Sequence, residues 1–338
     1  MPLKELKTEW TPKIEAALDN TIEAQDFESS EGVREMLRYH MGWASESSPS
    51  GAKGKRIRPL ITLFMTGAFG QDPSDALPGA VSIELLHNFT LIHDDIEDHS
   101  PQRHGRPTIW KKWGVAQAIN TGDALFSIAE LSMLNLVDTL SPRATLDAAR
   151  ELNRTCLKLI RGQYLDLSFE SAESVETATY LNMIAGKTAA LIGFACQLGA
   201  MVAGQSDLMQ SQAADYGRNL GLAFQIIDDD LGIWGDPAIT GKSTASDILA
   251  RKKSLPVLYG LASSVKFRQH WQKETLTTED VSEMSELLVE IGAQARVRQA
   301  SARFTKKANQ ALEQIFPQPN HYAQALFELT KVLLTRRA

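Results

Sequence analysis

The chain has 338 residues, 43% of them hydrophobic, and a formal net charge of −6. Because the basic residues are dispersed along an acidic chain, its composition argues against a nucleic-acid-binding protein. No linker, repeat or low-complexity segment divides the sequence, so we interpret residues 1–338 as a single domain. Cys156 and Cys196 occur singly in apolar segments, which is typical of core thiols in a reducing compartment.

Helical periodicity dominates the chain from its first residues onward. Residues 1–18 are charged and amphipathic and lack the apolar stretch of a signal peptide, so we expect a cytoplasmic protein. The most apolar segment, 189–204, is too short and too mixed for a membrane span and predicts a buried core helix. Near the other end, Thr277 or Thr278 begins a helix with an apolar stripe, and Gly292 ends it.

These patterns predict an all-α bundle with a functional site at one end of a central cavity. Polar loops are predicted at 45–54, 69–79, 99–107, 141–143 and 234–243.

Glu84 and His87 match half of the Glu-x-x-His pattern of di-iron bundles. Such a site needs a second copy of the pattern, and the sequence has none. His87 lies two helical turns before Asp94 on the same face, so its side chain could instead reach an anion near the acidic residues. A lone histidine in this position is more often a satisfied core residue.

Asp94, Asp95 and Asp98 form a D-D-x-x-D motif at the end of an apolar helical run. On a helix the carboxylates of Asp94 and Asp98 lie on one face, about one turn apart. If they are roughly 6 Å apart near a protein surface, their repulsion costs on the order of 3 kcal/mol. The motif therefore indicates either a fully solvated face or a cation site.

A second acidic run, Asp228–Asp230, also follows an apolar helical run and precedes a loop with glycine and lysine. Two acidic helix ends favour the cation site and predict one shared site. Carboxylates suit Mg²⁺, which proteins usually bind together with substrate phosphates, so the predicted ligand is a polyphosphate. Five residues rather than four separate Gly235 from Gly241, which excludes a P-loop in the segment that follows.

Together these residues resemble the trans-isoprenyl diphosphate synthases, or polyprenyl synthetases, and are most like the short-chain geranylgeranyl diphosphate synthases. The motifs occur in the family's order within the chain. Besides the two acidic motifs, the matching segments are Gly54–Pro59 (G-K-R-I-R-P), Arg103, Lys187-Thr188, Gln225, Lys242 and Lys252–Pro256 (K-K-S-L-P).

The resemblance implies an isoprenoid synthase type of bundle and a role for each motif. It assigns isopentenyl diphosphate to Lys55, Arg58 and His87. It also implies three Mg²⁺ ions per active site, bound to Asp94, Asp98 and Asp228. Further implied groups at the allylic diphosphate are Arg103, Lys187, Thr188, Gln225, Lys242 and Lys252, with Asp95 and Asp229 orienting ligands or waters.

Two positions depart from the family pattern. His104 stands where the family has a second arginine that binds isopentenyl diphosphate, so a permanent donor becomes a titratable one. We expect Arg106 to compensate if its side chain reaches the site. Gly232 stands where the second motif usually ends in aspartate, and Asp230 or Asp236 could partly offset the lost charge.

The resemblance implies that the chain joins an allylic diphosphate (dimethylallyl, geranyl or farnesyl) to isopentenyl diphosphate by ionisation, condensation and elimination. Released diphosphate would take the proton. Phe89 lies one to two turns before Asp94 and is expected to close the tunnel that limits product length, while Thr90 is not a second aromatic. Geranylgeranyl diphosphate (C20) is the predicted product and farnesyl diphosphate (C15) the alternative, made by a homodimer.

Three other functions compete with this interpretation. A class I terpene cyclase would share the fold and first motif but lack the motif that contains Lys55 and Arg58. A non-catalytic regulatory subunit of a heteromeric synthase would explain the two departures, but such subunits commonly lose the first motif, which is intact here. A structural helical protein gives no reason for the ordered motifs.

Overall fold

The computed structural model describes residues 2–43, 54–236 and 244–335, and its regular structure is almost entirely helical. In chain order the described helices are α1 (Pro2–Glu23), α2 (Glu31–Met41), α3 (Ile57–Ala68), α4 (Leu77–Glu97), α5 (Ile109–Trp113), α6 (Val115–Leu134), α7 (Pro142–Ser171), α8 (Thr177–Ile184), α9 (Ala190–Val202), α10 (Asp207–Trp234), α11 (Ser246–Leu249), α12 (Leu255–Ser263), α13 (Val265–Trp271), α14 (Thr278–Glu290), α15 (Ala293–Ile315) and α16 (His321–Leu334). Short 3₁₀ turns cover Pro73–Ala76 and Asn135–Asp138, and a π turn covers Ala185–Ala189. The strands of the described part, β1 (Gln102–Arg103) and β2 (Arg106–Pro107), form one antiparallel hairpin. The all-α prediction is confirmed.

The predicted helix near the C-terminal end is confirmed together with its cap. Thr277 is the N-cap of α14, and its side chain and that of Asp280 bond each other's backbone N–H groups in a capping box. The loop predicted at 69–79 was too long, because α4 already begins at Leu77. Pro78 fits the first turn of a helix, where its missing N–H costs nothing, so the proline marked a helix start rather than a loop.

The backbone divides into two compact units. Unit 1 comprises residues Met1–Arg154, Ala195–Gln210 and Gln318–Leu326, and unit 2 comprises Thr155–Phe194, Ser211–Pro317 and Phe327–Ala338. The interpretation of residues 1–338 as one domain stays a prediction.

In unit 1, α3 and α4 are buried on nearly every side. Every residue of α3 from Pro59 to Gly67 is buried, as is every residue of α4 from Gly79 to Leu86. A helix that is apolar all round belongs in a core, and this explains why the apolar run before Asp94 shows no polar face. The buried half of α4 holds its partly exposed C-terminal end in a fixed place.

The core of unit 2 is formed by side chains from several helices around the end of α10. Its largest fully buried members include Tyr180 on α8 and Phe267 on α13. Ala223, Ile226 and Ile233 contribute the apolar face of α10. By helical spacing Asp229 falls on the same face as Ile226 and Ile233 and is buried, whereas Asp228 lies on the opposite face of α10.

One stretch of helix, Thr177–Val202, is long and apolar enough to cross a membrane by length and composition. However, 72% of its most apolar window is buried inside the protein. This burial is that of a core helix, as predicted for residues 189–204.

Candidate active site

The first acidic motif lies at the C-terminal end of α4. Asp94 and Asp95 are in its last turn and Asp98 is its C-cap. Asp95 is buried, Asp94 is partly buried and Asp98 is exposed. The carboxyl end of a helix is already partially negative, and the last turn of α4, which is described throughout, contains no basic residue. This helix end therefore favours a cation from outside the helix.

The hairpin that follows α4 positions Arg103 against the acidic motif. Arg103 Nε donates to both carboxylate oxygens of Asp95 at 3.0 Å, and its Nη2 lies 3.6 Å from Asp94 Oδ2. Burial raises the pKa of the Asp95 carboxyl, and the hydrogen bonds from Arg103 oppose that shift. The pair thus holds a guanidinium beside Asp94, where the resemblance places the allylic diphosphate.

His104 and Gly105 form the two-residue turn of this hairpin. Their φ angles are +51° and +73°, the signs that a type I′ turn requires. Histidine adopts left-handed backbone more readily than most residues, so His104 suits the turn. Partial desolvation of its ring and the charges of Arg103 and Arg106 lower the pKa of His104, so position 104 supplies no fixed positive charge at neutral pH.

Arg106 lies opposite Arg103 in the hairpin register. Like charges at directly opposite positions of an antiparallel pair are unfavourable unless another group neutralises them. The Arg106 guanidinium carbon lies 4.8 Å from the Tyr39 ring centroid, and within the described structure its Nε is buried without a hydrogen-bond partner. Arg106 is therefore an oriented donor available to an anion.

The basic motif at residues 54–59 contains residues of two kinds. Arg56 is buried, and its Nε and Nη1 donate to Glu15 Oε1 at 2.6 Å and to Glu84 Oε1 at 2.9 Å. Arg58, in the first turn of α3, is half-buried, and among the described residues its Nε has no partner. Lys55 is exposed. The ion pair with Arg56 also explains Glu84, the acidic half of the Glu-x-x-His pattern.

Two histidines lie near these arginines. Burial, followed by the charges of Arg58 and Arg103, holds the pKa of His87 well below its usual value. Burial and the charges of Arg103 and Arg106 lower the pKa of His40 to about 3. Each ring is neutral at pH 7 and offers one N–H donor. We call Arg58, Arg106, His40 and His87 the basic cluster.

His40 was not among the predicted site residues. It occurs on α2, outside any motif, and only the tertiary structure brings it near Arg103 and Arg106.

Phe89 lies on α4 beside aromatic side chains from α4 itself and from α6. Its ring centroid is 4.7 Å from that of His93 and 5.4 Å from that of Phe126. Thr90 Oγ1 donates to the carbonyl oxygen of His87 at 2.7 Å. Phe126 was not among the predicted site residues, because its contact with Phe89 depends on how α4 packs against α6.

The second acidic motif lies in the last turns of α10, and its three aspartates have different surroundings. Asp229 is 1% exposed, whereas Asp228 is half-buried. Asp230 Oδ2 lies 3.4 Å from Arg298 Nε. Asp228 fits a metal ligand best, since Asp229 is buried and Asp230 faces Arg298.

Asp229 is held by a network of donors. Tyr180 OH and Leu255 N donate to its Oδ2, the latter at 2.9 Å, and Gln225 Nε2 donates to its Oδ1 at 3.3 Å. Thr188 Oγ1 in turn donates to Gln225 Oε1 at 2.8 Å. Burial raises the pKa of Asp229 to about 6. Three predicted residues are therefore joined, with Tyr180 as a member that no motif indicated.

Lys187 and Thr188 lie in the π turn between α8 and α9. Such turns often occur at functional sites, because they redirect side chains within a helix. Lys187 Nζ lies 2.6 Å from Asp166 Oδ2, a partner that the motifs did not reveal. A Cβ at Gly162 would lie 2.1 Å from Lys187 N, so only glycine lets α7 approach the turn this closely.

The lysines of the downstream segment differ in role. Desolvation alone would lower the pKa of Lys252, but Asp229, Asp247 and Asp228 raise it above its usual value. Lys253 Nζ donates to the carbonyl oxygens of Phe169 and Ala172, so it has a structural role. Lys242 lies outside the described residues.

The carboxylates fit a metal that a substrate helps to bind. Within the described ranges, no group of three or more His, Cys, Asp or Glu side chains converges to hold a metal ion on its own. Mg²⁺ commonly takes one or two protein carboxylates, with waters and phosphate oxygens completing its shell. Asp94 and Asp228, each partly accessible at a helix end, suit that mode.

Comparison with known proteins identifies the family. The polyprenyl synthetase family profile matches residues 46–291. The chain is 38% identical over 318 residues to the (2E,6E)-farnesyl diphosphate synthase of Mycobacterium tuberculosis, covering 90% of this chain and 87% of that one. It is 40% identical over 278 residues to the geranylgeranyl diphosphate synthase of the same organism, covering 80% and 79%.

The fold agrees with this family. The crystal structure of a polyprenyl synthetase from Streptomyces coelicolor A3(2) matches with a TM-score of 0.87 and 33% identity, covering 99% of each chain. The chain therefore belongs to the polyprenyl synthetase family and is a trans-prenyltransferase with the all-α isoprenoid synthase fold.

Proposed function

We propose that this chain condenses an allylic diphosphate with isopentenyl diphosphate and that its main product is geranylgeranyl diphosphate. The family uses these two substrate classes and a divalent metal. The observation that carries the proposal is the contrast within unit 1 between an acidic helix end and the basic cluster, whose buried Arg58 and Arg106 Nε atoms have no partner among the described residues. The acidic end of α4 suits a diphosphate that is bound through metal ions. The basic cluster suits a diphosphate that is bound directly by arginine side chains.

Isopentenyl diphosphate is the proposed ligand of the basic cluster. Arg58, Lys55 and His87 are the donors that the family resemblance implies. His104 is retained as a proposed ligand of this diphosphate, although Arg106 supplies the fixed charge that a histidine lacks. Charge-assisted hydrogen bonds to phosphate are stronger than neutral ones, so the two arginines should contribute most to affinity.

The allylic diphosphate is the proposed ligand of the acidic residues through metal ions. Asp94, Asp98 and Asp228 are the proposed ligands of three Mg²⁺ ions, with Asp95 and Asp229 as positioning residues. The metal, when bound, would neutralise the charge that develops on the diphosphate as the allylic carbon–oxygen bond breaks. The proposed direct contacts of this diphosphate are Arg103, Lys187, Thr188, Gln225, Lys242 and Lys252.

Hydrogen-bond partners orient the basic side chains of the proposed site before a substrate binds. Arg103 and Lys187 are held by Asp95 and Asp166, so little reorganisation is needed when a diphosphate arrives. Isopentenyl diphosphate, held by the basic cluster, presents its double bond to the allylic cation. Released diphosphate takes the proton that is lost. Apolar residues such as Phe89 exclude the water that would trap the cation.

The product is proposed from the aromatic pair on α4 and α6. Phe89 and Phe126 lie 5.4 Å apart by ring centroids, and this pair is the proposed floor that a growing prenyl chain would meet. Farnesyl diphosphate is the second candidate, since one relative carries that name and another is named for geranylgeranyl diphosphate.

We also propose a cytoplasmic homodimer. The side chains of Ile119, Leu131 and Leu134 on α6 expose 42%, 50% and 43% of their surface. Exposed apolar side chains that recur along one helix are typical of an interface with another protein, and a second copy of the chain is the proposed partner.

Incubation with labelled isopentenyl diphosphate, Mg²⁺ and each allylic primer tests the reaction. We expect prenyl products that disappear in excess chelator. Asp94→Asn and Asp228→Asn should each lower turnover by orders of magnitude. Glu97→Gln, which changes an exposed acid on the same helix as Asp94, should not lower it. No product with any primer, or full activity in chelator, would refute the proposal.

A further inference from the structure

The side chain of Asp247 occupies the space next to Gly232 where a side chain at position 232 would lie. Gly232 lies four residues after Asp228 on α10, so a side chain at 232 would lie on the same face, about one turn away. A Cβ built on Gly232 would be 2.5 Å from Asp247 Oδ2, 2.6 Å from its Cγ and 2.7 Å from its Oδ1. These contacts are impossible, so the Asp247 carboxylate occupies the place where a side chain at 232 would begin.

Backbone contacts hold Asp247 in this position. Ala245 N donates to Ile233 O at 3.1 Å, and Ser246 Oγ donates to Gly232 O at 3.3 Å. On the other side of the aspartate, Lys252 N donates to Asp247 O at 2.9 Å. The short helix α11 is thereby fastened to α10, and Asp247 itself is 7% exposed.

The Asp247 carboxylate belongs to the electrostatic environment of the second acidic motif. Its charge acts on Asp229, Tyr180 and Lys252. Asp230 is a poor substitute for the missing carboxylate, because its Oδ2 lies 3.4 Å from Arg298 Nε. Asp236 is exposed beyond the end of α10.

We propose that Asp247 supplies the carboxylate that the second motif lacks at position 232, and that Gly232 is required because it leaves room for it. Asp247 would then orient the ligands of a metal ion held by Asp228, one helical turn away. This inference rests on the proposed function, since it concerns the same diphosphate site.

Calorimetric titration of inorganic pyrophosphate, with and without Mg²⁺, tests the inference without relying on turnover. Loss of a group that orients metal ligands typically lowers affinity about 10- to 100-fold. Asp247→Asn should therefore weaken the Mg²⁺-dependent part of pyrophosphate binding by at least about tenfold. Asp215→Asn, the same charge change at an exposed residue of α10 outside the acidic motif, should leave it unchanged.

A carboxylate exchange tests the spatial claim. Gly232→Asp alone should lower the midpoint of thermal unfolding, because its Cβ collides with Asp247. The double variant Gly232→Asp/Asp247→Ala should restore both folding and Mg²⁺-dependent binding, and it decides the question if Asp247→Asn fails to fold. A folded Asp247→Asn with unchanged binding, or a double variant that folds without restored binding, would overturn the inference. A wild-type chain that shows neither Mg²⁺-dependent pyrophosphate binding nor prenyl transfer would instead overturn the proposed function.

Discussion

At the scale of single residues, the hydrogen-bond partner decides the role of each arginine. Arg56 and Arg58 are two positions apart in one motif, yet Arg56 has two buried carboxylates and Arg58 Nε has no partner in the described structure. A buried donor without a partner costs stability, on the order of 1–3 kcal/mol. Such a cost is expected at a binding site, where the substrate supplies the missing acceptor.

Arg106 provides the first prediction at this scale. Arg106→Ala should raise KM for isopentenyl diphosphate about 10- to 100-fold, the value of one charge-assisted hydrogen bond, with a smaller effect on kcat. Arg106→Lys should recover part of the loss, since it restores charge without the planar fork. Lys112→Ala is the matched control, because Lys112 also lies over the Tyr39 ring, 4.4 Å from its centroid. An unchanged KM in folded Arg106→Ala would show that the arginine does not meet this substrate.

His40 leads to a prediction about pH. Its folded pKa of about 3 lies below the unfolded value of about 6.5. Between these values the unfolded chain binds the extra proton, so the free energy of unfolding should fall as the pH falls from about 6.5 toward 3. His40→Gln should reduce this loss, measured as the urea midpoint at pH 7 and pH 5. His87 keeps part of the dependence, and His321→Gln on an exposed surface is the control. Identical pH dependence in His40→Gln and wild type would contradict the prediction.

At the scale of elements, one half of a helix packs in the core while the other half carries side chains of the site. The N-terminal half of α4 is buried on all sides, and its C-terminal end carries the acidic motif. In unit 2, α10 likewise contributes Ala223, Ile226 and Ile233 to the core and carries the second acidic motif in its last turns. The hairpin β1–β2 is short, but its type I′ turn aligns Arg103 and Arg106 across from each other. Rigid packing of one part of an element thus positions the reactive side chains of another part.

The packing of α4 against α6 predicts product length. Phe89→Ala should remove the ring that lies against His93 and Phe126 and allow elongation beyond C20. The free energy of unfolding should fall by less than the roughly 3–5 kcal/mol expected for a fully packed aromatic, since Phe89 is half-buried. Chromatography after incubation with farnesyl diphosphate and excess isopentenyl diphosphate measures the products. A folded variant that still stops at C20 would move the limit to another residue, with Phe126→Ala the next test.

At the scale of the whole molecule, burial and exposure divide the apolar residues into two groups. The interior of each unit is apolar, as expected for a chain of this length and hydrophobic content. The exposed apolar residues of α6 do not belong to either core, which is why they indicate an intermolecular surface.

The proposed homodimer can be tested through this surface. Replacing Ile119 and Leu131 together by glutamate should place charges in an apolar interface and shift the sedimentation coefficient to that of a monomer. Val289→Glu is the control, because Val289 is 52% exposed on α14. Unchanged sedimentation of a folded double variant would exclude this face as the interface.

The amino-acid sequence alone determined the helical class, the family and the order of the motifs. Helical spacing is local, so apolar periodicity and caps such as Thr277 predict helices directly. The acidic motifs are also local, because carboxylates one turn apart repel each other wherever the helix lies. Gly232 is a departure from the motif in the amino-acid sequence itself.

Only the tertiary structure decided which residues complete these motifs. Asp247 beside Gly232, His40 near Arg106, Tyr180 on Asp229 and Phe126 against Phe89 are pairs formed between separate helices or, for Arg106, between a helix and the hairpin. No periodicity within one helix encodes such pairs, because they depend on how helices cross and on where burial removes water. The free energies of those contacts, rather than the spacing of residues along the chain, set the charge and shape of the site.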